Sequence, residues 1–434
     1  MKQRSSYVCT NCGAMSPSWM GKCFECGEFN TYVEQAAPAE EKKGAKKTNG
    51  SVAVVQDLAG STDDFERMST GIGEMDLVFG GGITVGSLAL LSGEPGIGKS
   101  TLTLQLCDAL TRAGKKVLYI AGEESPAQIA NRAKRLGAGA GIRVVTETDV
   151  ADIVATAEAE QPDLLVIDSI QVVSSGDVSG VAGSVLQVRN AAETFMRVAK
   201  EHGITTLLIG HVTKDGTLAG PRVLEHLVDT VLFLEGERTN PVRVLKATKN
   251  RFGPTDETGV FMMAEEGLKE AVDPAETFTE SHVPTVGSCL TAISEGSRTF
   301  FVEVQALVTP AKFGYPKRTV SGIDINRLNI ILAVLSRHAG IHLDGFDVFV
   351  STVGDFRTDD RGADLAIALA LASSKSQKPL PKKVVAIGEV GLTGMVRAVG
   401  GMERRLKDAK KLGLDPLFDG KKSLPVKNVL QEAF

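Results

Sequence analysis

Apolar positions along this chain switch period in a regular alternation. Residues 87–92 form a short apolar run, the length of one buried strand. Residues 101–112 place Leu102, Leu106 and Leu110 at every fourth position, one face of a helix. The alternation then repeats. Residues 116–121, 163–168 and 204–209 are compact apolar runs expected as strands. Residues 126–136, 149–159 and 185–202 are expected as helices. Strands spaced by helical segments predict a parallel sheet with crossover helices, an α/β class. Residues 228–234, 242–249 and 259–263 add strands, whereas Ser69-Thr70-Gly71 and Gly80-Gly81-Gly82 predict a turn-rich entry. After a break at residues 271–284 the pattern changes. Strand-like segments 285–294, 299–308, 346–353, 383–388 and 394–398 alternate with helical segments 325–337, 364–374 and 401–412. This predicts a separate α+β domain.

The first strand and helix enclose Gly93-Glu94-Pro95-Gly96-Ile97-Gly98-Lys99-Ser100. Strand, G-x-x-x-x-G-K-S, helix is the setting of a phosphate-binding P-loop. Glycines let the backbone wrap a phosphate chain, and the helix N-terminus adds partial positive charge. Lys99 is expected to reach the β- and γ-phosphates of ATP, Ser100 to hold Mg²⁺, and Thr101 to follow them into the helix. The strand at 163–168 ends on Asp168, placed to hold Mg²⁺ through water. The strand at 116–121 runs into Gly122-Glu123-Glu124. Glu123 is assigned to polarise the attacking water, with Glu124 as the alternative. His211, after the strand at 204–209, stands where a γ-phosphate sensor would stand; a structural histidine is the other reading.

Cysteine spacing marks a second site. Cys9, Cys12, Cys23 and Cys26 form two C-x₂-C knuckles ten residues apart. Two knuckles complete a tetrahedral S₄ set for structural Zn²⁺. The segment holds too few apolar residues for an unaided core, so metal would have to stabilise it. Disulfides are the alternative, disfavoured in a cytoplasmic setting. No apolar run reaches membrane-spanning length and no secretory pattern opens the chain, so a cytoplasmic protein without a membrane partner is expected. Residues 34–50 are rich in Ala, Glu, Lys and Gly without apolar period and predict a linker. The expected organisation is a ribbon at 1–33, a linker at 34–64, an ATPase domain at 65–270 and a further domain at 271–434.

Charge is unevenly spread. Residues 281–434 carry 21 Lys and Arg against 15 Asp and Glu, a net of +6, which leaves residues 1–280 at −11 of the chain's −5. A basic C-terminal third suits an anionic partner as well as a solvated basic face. Arg189, Lys214 and Arg222 lie near the two irregular loops that follow consecutive strands, and Lys317 and Arg318 lie in a basic loop of the last domain. All five are candidate DNA phosphate contacts. Lys249 and Arg251, two apart on a strand, point to one side and are candidate basic fingers toward a neighbouring subunit's ATP.

These elements together resemble the bacterial RadA/Sms family of recombination ATPases, in family order and over nearly the whole chain. The carriers are the Cys₄ ribbon, the P-loop core, the run Lys249-Asn250-Arg251-Phe252-Gly253 and the C-terminal domain. The resemblance implies a RecA-like core between an N-terminal zinc ribbon and a Lon-protease-like domain. It further implies a hexameric ring whose ATPase is stimulated by DNA, binding to single-stranded and branched DNA, and help for RecA in branch migration. The core also resembles DnaB-type replicative helicases, whose K-x-R fingers match Lys249 and Arg251. The Lon resemblance raises proteolysis as a rival, but the Ser place falls at or near Gly362 and the Lys place near Glu403. Neither residue supplies a nucleophile or an amine base, so no peptidase activity is expected. Arg361-Gly362 also departs from the Pro-Ala this family often shows. A regulatory ring ATPase that ignores DNA is the remaining alternative.

Overall fold

A computed structural model describes residues 5–9, 15–24, 29–36, 65–211, 224–236, 241–271, 283–311, 315–353 and 358–434. Cys12, Cys26, Lys214 and Arg222 lie outside the described residues, as does most of the expected linker. The ribbon is a three-stranded antiparallel sheet of β1 (Ser5–Cys9), β2 (Met15–Ser16) and β3 (Tyr32–Ala36), in the order β2-β1-β3. Its small core is Cys9, Cys23 and Tyr32, with Tyr7 packed on them.

The chain forms two compact units, and the ribbon belongs to the first. The first takes the described residues through Glu235 together with Leu245–Thr255 and Ala264–Leu268. The second takes those of Gly236–Val244, Asp256–Met263 and Lys269–Phe434. After the ribbon, the first unit holds β4 (Arg67–Met68), α1 (Gly73–Phe79) and β5 (Ile83–Thr84). The turn-rich segment thus holds a two-turn helix. Asp76 fixes its entry by accepting hydrogen bonds from Ser69 Oγ (2.6 Å) and Thr70 N (2.7 Å), and Gly80, at φ 82°, ends it.

Then follow β6 (Leu88–Gly93), α2 (Lys99–Arg112), β7 (Val117–Ala121), α3 (Pro126–Arg135), β8 (Arg143–Val145), α4 (Val150–Glu160), β9 (Leu164–Asp168), α5 (Val185–His202), β10 (Thr205–Ile209) and β11 (Thr230–Glu235). The strands pair in parallel in the order β11-β6-β10-β9-β7-β8. Each central strand is buried along its length because crossover helices cover the sheet, which is why the runs read as continuous rather than alternating. Helix starts follow capping chemistry. Ser125 and Gln128 close a capping box on α3, and Asp149 caps α4 through Ala151 N (2.8 Å). The glycine-rich loop of residues 93–98 leaves the C-terminal end of β6, where ligands of parallel sheets bind.

Three strands complete the middle of the chain: β12 (Val242–Asn250), β13 (Thr258–Ala264) and β14 (Gly267–Glu270). The second unit is built on β15 (Ser288–Glu295), β16 (Arg298–Pro310), β17 (Arg318–Ser321), β18 (Phe346–Thr352), β19 (Val384–Val385) and β22 (Asp415–Pro416), in the order β17-β18-β16-β15-β19-β22. A small sheet of β20 (Glu389–Val390), β21 (Met395–Arg397) and β23 (Leu424–Pro425) lies in the same unit, with helices α6 (Ile325–Val334), α7 (Asp364–Ser376), α8 (Met402–Lys411) and α9 (Val426–Ala433). Helix α6 does not continue regularly to Arg337 as its period suggests; Leu335–Ala339 is a π turn. Helix α7 is buried on every side, so its period is weak. Arg327 forks onto Asp364 at the α7 start, and Asp364 also accepts Val390 N (3.1 Å). None of the helices among the described residues is long and apolar enough to cross a membrane.

Candidate nucleotide site and metal ribbon

Three glycines shape the loop between β6 and α2. A Cβ on Gly93 would stand 2.4 Å from the Leu234 carbonyl of β11, and Gly96 and Gly98 take φ of 80° and 117°. Helix α2 begins at Lys99, two residues earlier than its apolar period suggests. Lys99, Ser100 and Thr101 therefore occupy its first turn, where unpaired N–H groups and the helix dipole favour an anion. Lys99 is buried and donates to the carbonyls of Gly93 (2.8 Å) and Glu94 (3.0 Å). Burial draws its amine down to about 8, against the opposing pull of Asp168 and Glu123.

Facing the loop are the ends of β7, β9 and β10. Gly122 N donates to Asp168 O (2.8 Å), and a Cβ at Gly122 would fall 2.1 Å from Val172 Cγ2. Only glycine there lets the two strand ends close, which brings Glu123 beside Ser169. Ser169 Oγ donates to Glu123 Oε1, and His211 Nε2 lies 3.6 Å from the same oxygen. Burial, then Lys99, lowers the His211 imidazole below its ordinary range, so it is neutral at pH 7 and the contact is polar rather than ionic. Glu124 lines the same cavity but pairs with Arg132 of α3. The two adjacent acids are thereby distinguished: one is held by an arginine, the other stands half-exposed next to Ser169 and His211.

Asp168 accepts a hydrogen bond from Tyr119 of β7, whose phenol burial, then Asp168, raises well above its usual range. Sequence reasoning missed Tyr119. The available signal was a single polar-tipped aromatic in the run Leu118-Tyr119-Ile120, since a buried phenol needs a partner. The lining of a cavity of about 320 Å³ includes Lys99, Ser100, Glu123, Glu124, Asp168 and His211. A cationic amine, a helix N-terminus, a hydroxyl and three carboxylates, one of them paired with Arg132, around one cavity fit a magnesium–nucleoside triphosphate. Lys99 and the loop amides would hold the phosphates, and Ser100 with Asp168 the cation, which neutralises charge on the transferred group.

Bound phosphates favour the charged amine, so nucleotide binding should pull the Lys99 pKa back up. Above pH 8 binding then takes up a proton, and affinity falls as pH rises. Calorimetry at about pH 8.5 in buffers of different ionisation enthalpy should give buffer-dependent heats for the natural protein and flat ones for Lys99→Met. Flat heats for both would remove Lys99 from the phosphates.

The run Lys249 to Gly253 is held residue by residue within the first unit. Lys249 Nζ donates to the carbonyls of Glu225 (2.6 Å) and Val228 (2.8 Å); burial, then Arg251, lowers its pKa. Asn250 donates to Phe79 O (3.2 Å) and accepts from Phe252 N (3.0 Å). Arg251 pairs with buried Asp229 at 3.0 Å while its own side chain stays 48% exposed. The Phe252 ring meets Phe65 edge to face at 4.8 Å, and Arg67 donates to Phe252 O (2.5 Å). Asp229 N donates to Leu88 O, at the start of β6. The P-loop leaves the other end of β6. Five residue steps at about 3.3 Å separate the two ends by about 17 Å. Arg251 and Lys249 therefore do not reach their own chain's phosphates.

The remaining expected contacts fare differently. Arg189 is exposed on α5 and pairs with Glu193 one turn on (2.9 Å). Lys317 is exposed. Arg318 is engaged structurally: its guanidinium donates to Leu343 O (2.9 Å), Lys317 O (3.1 Å) and Phe346 O. In the ribbon, Cys9 and Cys23, one from each knuckle, are buried in one cluster, a soft sulfur donor set suited to zinc. Lys22, the residue before Cys23, and Phe29 pair in an antiparallel bridge.

Family models match in three places: one described as AAA domain over residues 58–217, one as rubredoxin metal binding domain over 7–34, and one as Lon protease (S16) C-terminal proteolytic domain over 346–428. The class is thus a P-loop ATPase-type protein with an N-terminal zinc ribbon and a Lon-like C-terminal domain. The chain is 44% identical over 423 residues to a DNA repair protein RadA of Brucella abortus, covering 95% of this chain and 91% of the relative. Against those of Aquifex aeolicus and Pseudomonas aeruginosa it is 44% and 45% identical, covering 100% and 98% of this chain and 98% and 95% of theirs. The chain belongs to the RadA family of DNA repair proteins.

Proposed function

We propose that this protein is a DNA-dependent ATPase of DNA repair, which moves on single-stranded and branched DNA as a ring, a hexamer, and promotes branch migration of RecA-mediated strand exchange. One observation carries the reading: Lys249 and Arg251 stand at the far end of β6 from the P-loop. A basic pair fixed there completes a nucleotide site only on an adjoining subunit, so turnover requires assembly. Glu123 activates the attacking water, and Lys99 and Mg²⁺ take up charge on the transferred phosphoryl group.

Rival readings meet specific geometry or a specific test. In the Lon-like domain a Cβ on Gly362 would lie 2.4 Å from Arg405 Nη1. Buried Arg405 pairs there with Asp360 (2.7 Å) and donates to Ala292 O (2.8 Å). A guanidinium fills the space a nucleophilic side chain would need, and Glu403 is exposed. This supports a scaffold rather than a peptidase. A regulatory ATPase indifferent to DNA differs in one measurement. ATP turnover, on protein sized by light scattering, should rise on adding single-stranded DNA and vanish in Lys99→Ala. An unchanged rate with DNA would favour the regulatory reading.

A further inference from the structure

The ribbon wears its aromatic side chains on the outside. Trp19 is 54% exposed, Phe24 59% and Phe29 67%, whereas Tyr32 is buried with Cys9 and Cys23. Lys22 and Phe29 face each other across the antiparallel bridge, and Lys22 Nζ lies 5.1 Å from the Phe29 ring centroid. The Trp19 ring lies against Gly21, the residue before Lys22. These three large rings stand outside a core of three residues and present apolar area to solvent.

We propose that this surface is a stacking platform for single-stranded nucleic acid. Bases lie on Trp19, Phe24 and Phe29, and Lys22 meets a backbone phosphate. Every base offers a π face, so rings beside a cation accept a strand without reading its sequence. Lys22, whose amine lies beside the Phe29 ring, supplies the cation next to these rings. This inference rests on the proposed DNA-dependent activity and assigns part of the strand to the ribbon.

Trp19 is the only tryptophan of the chain, so intrinsic emission reports on the ribbon alone. Titrating the full-length protein with a thymidine oligonucleotide should quench that emission, saturating together with the rise in ATP turnover and weakening with salt. Phe24→Ala and Phe29→Ala should each raise Kd roughly tenfold at unchanged zinc content, and Phe24→Tyr should keep natural affinity. If the oligonucleotide stimulates turnover while Trp19 emission and the variants' Kd stay constant, the platform is wrong and the proposed function stands. If it neither binds nor stimulates, both fall. Emission that responds to an added repair protein and not to the oligonucleotide would replace the platform with a protein-docking surface.

Discussion

Arg251→Ala should lower ATP turnover by about 10³- to 10⁵-fold, the range for removal of an arginine that stabilises charge on a transferred phosphoryl group. Nucleotide affinity should change little, because the cavity lined by Lys99 and Asp168 keeps its groups. Arg251→Lys should restore little, since an ammonium cannot fork onto two phosphate oxygens. The decisive measurement mixes Arg251→Ala with Lys99→Ala subunits. If the arginine works across a subunit boundary, some sites in the mixture pair an intact P-loop with an intact finger, and turnover returns. In an assembly where each finger served its own chain, no mixed site would be complete. Mixtures that remain as slow as their components would overturn the trans assignment, as would a full rate for Arg251→Ala alone. The Arg251–Asp229 pair sharpens the choice of variant. Asp229 also accepts Leu88 N at 3.2 Å, so removing Asp229 would disturb the start of β6 and confuse chemistry with folding.

Much of this architecture is legible in the residues because parallel strands are buried on both faces. Residues 87–92, 163–168 and 204–209 have no polar alternation to blur them, and the second ends in Asp168, which faces the cavity. The P-loop is legible for a stronger reason: its glycines are demanded by backbone approach, as at Gly93 against Leu234 O. Partner identity is harder to read. That Glu124 pairs with Arg132, and that Tyr119 supports Asp168, depends on contacts between segments far apart in sequence or across a helix start. Helix α1 escaped because two glycine clusters frame it and its cap is a tertiary-like clasp from Ser69 and Thr70. Charge alone suggests a DNA contact at Arg318; that its guanidinium donates to the Leu343 and Phe346 carbonyls is a use local sequence does not reveal.

Glu123→Gln should slow turnover by about 10²- to 10⁴-fold, the range for loss of a positioned general base, while ATP still binds. The amide keeps shape and can still accept from Ser169 Oγ, so the loss would be one of basicity rather than of position. Glu124→Gln is the matched control. It breaks the pair with Arg132 between two partly exposed side chains, an interaction of small worth, and should alter the rate only severalfold. Pre-steady-state kinetics separate the cases: Glu123→Gln should bind nucleotide at the natural rate and show no burst of phosphate. If Glu124→Gln is the dead variant and Glu123→Gln turns over, then Arg132 is holding the base rather than sequestering a bystander. The contact between His211 and Glu123 would then have to be read as structural.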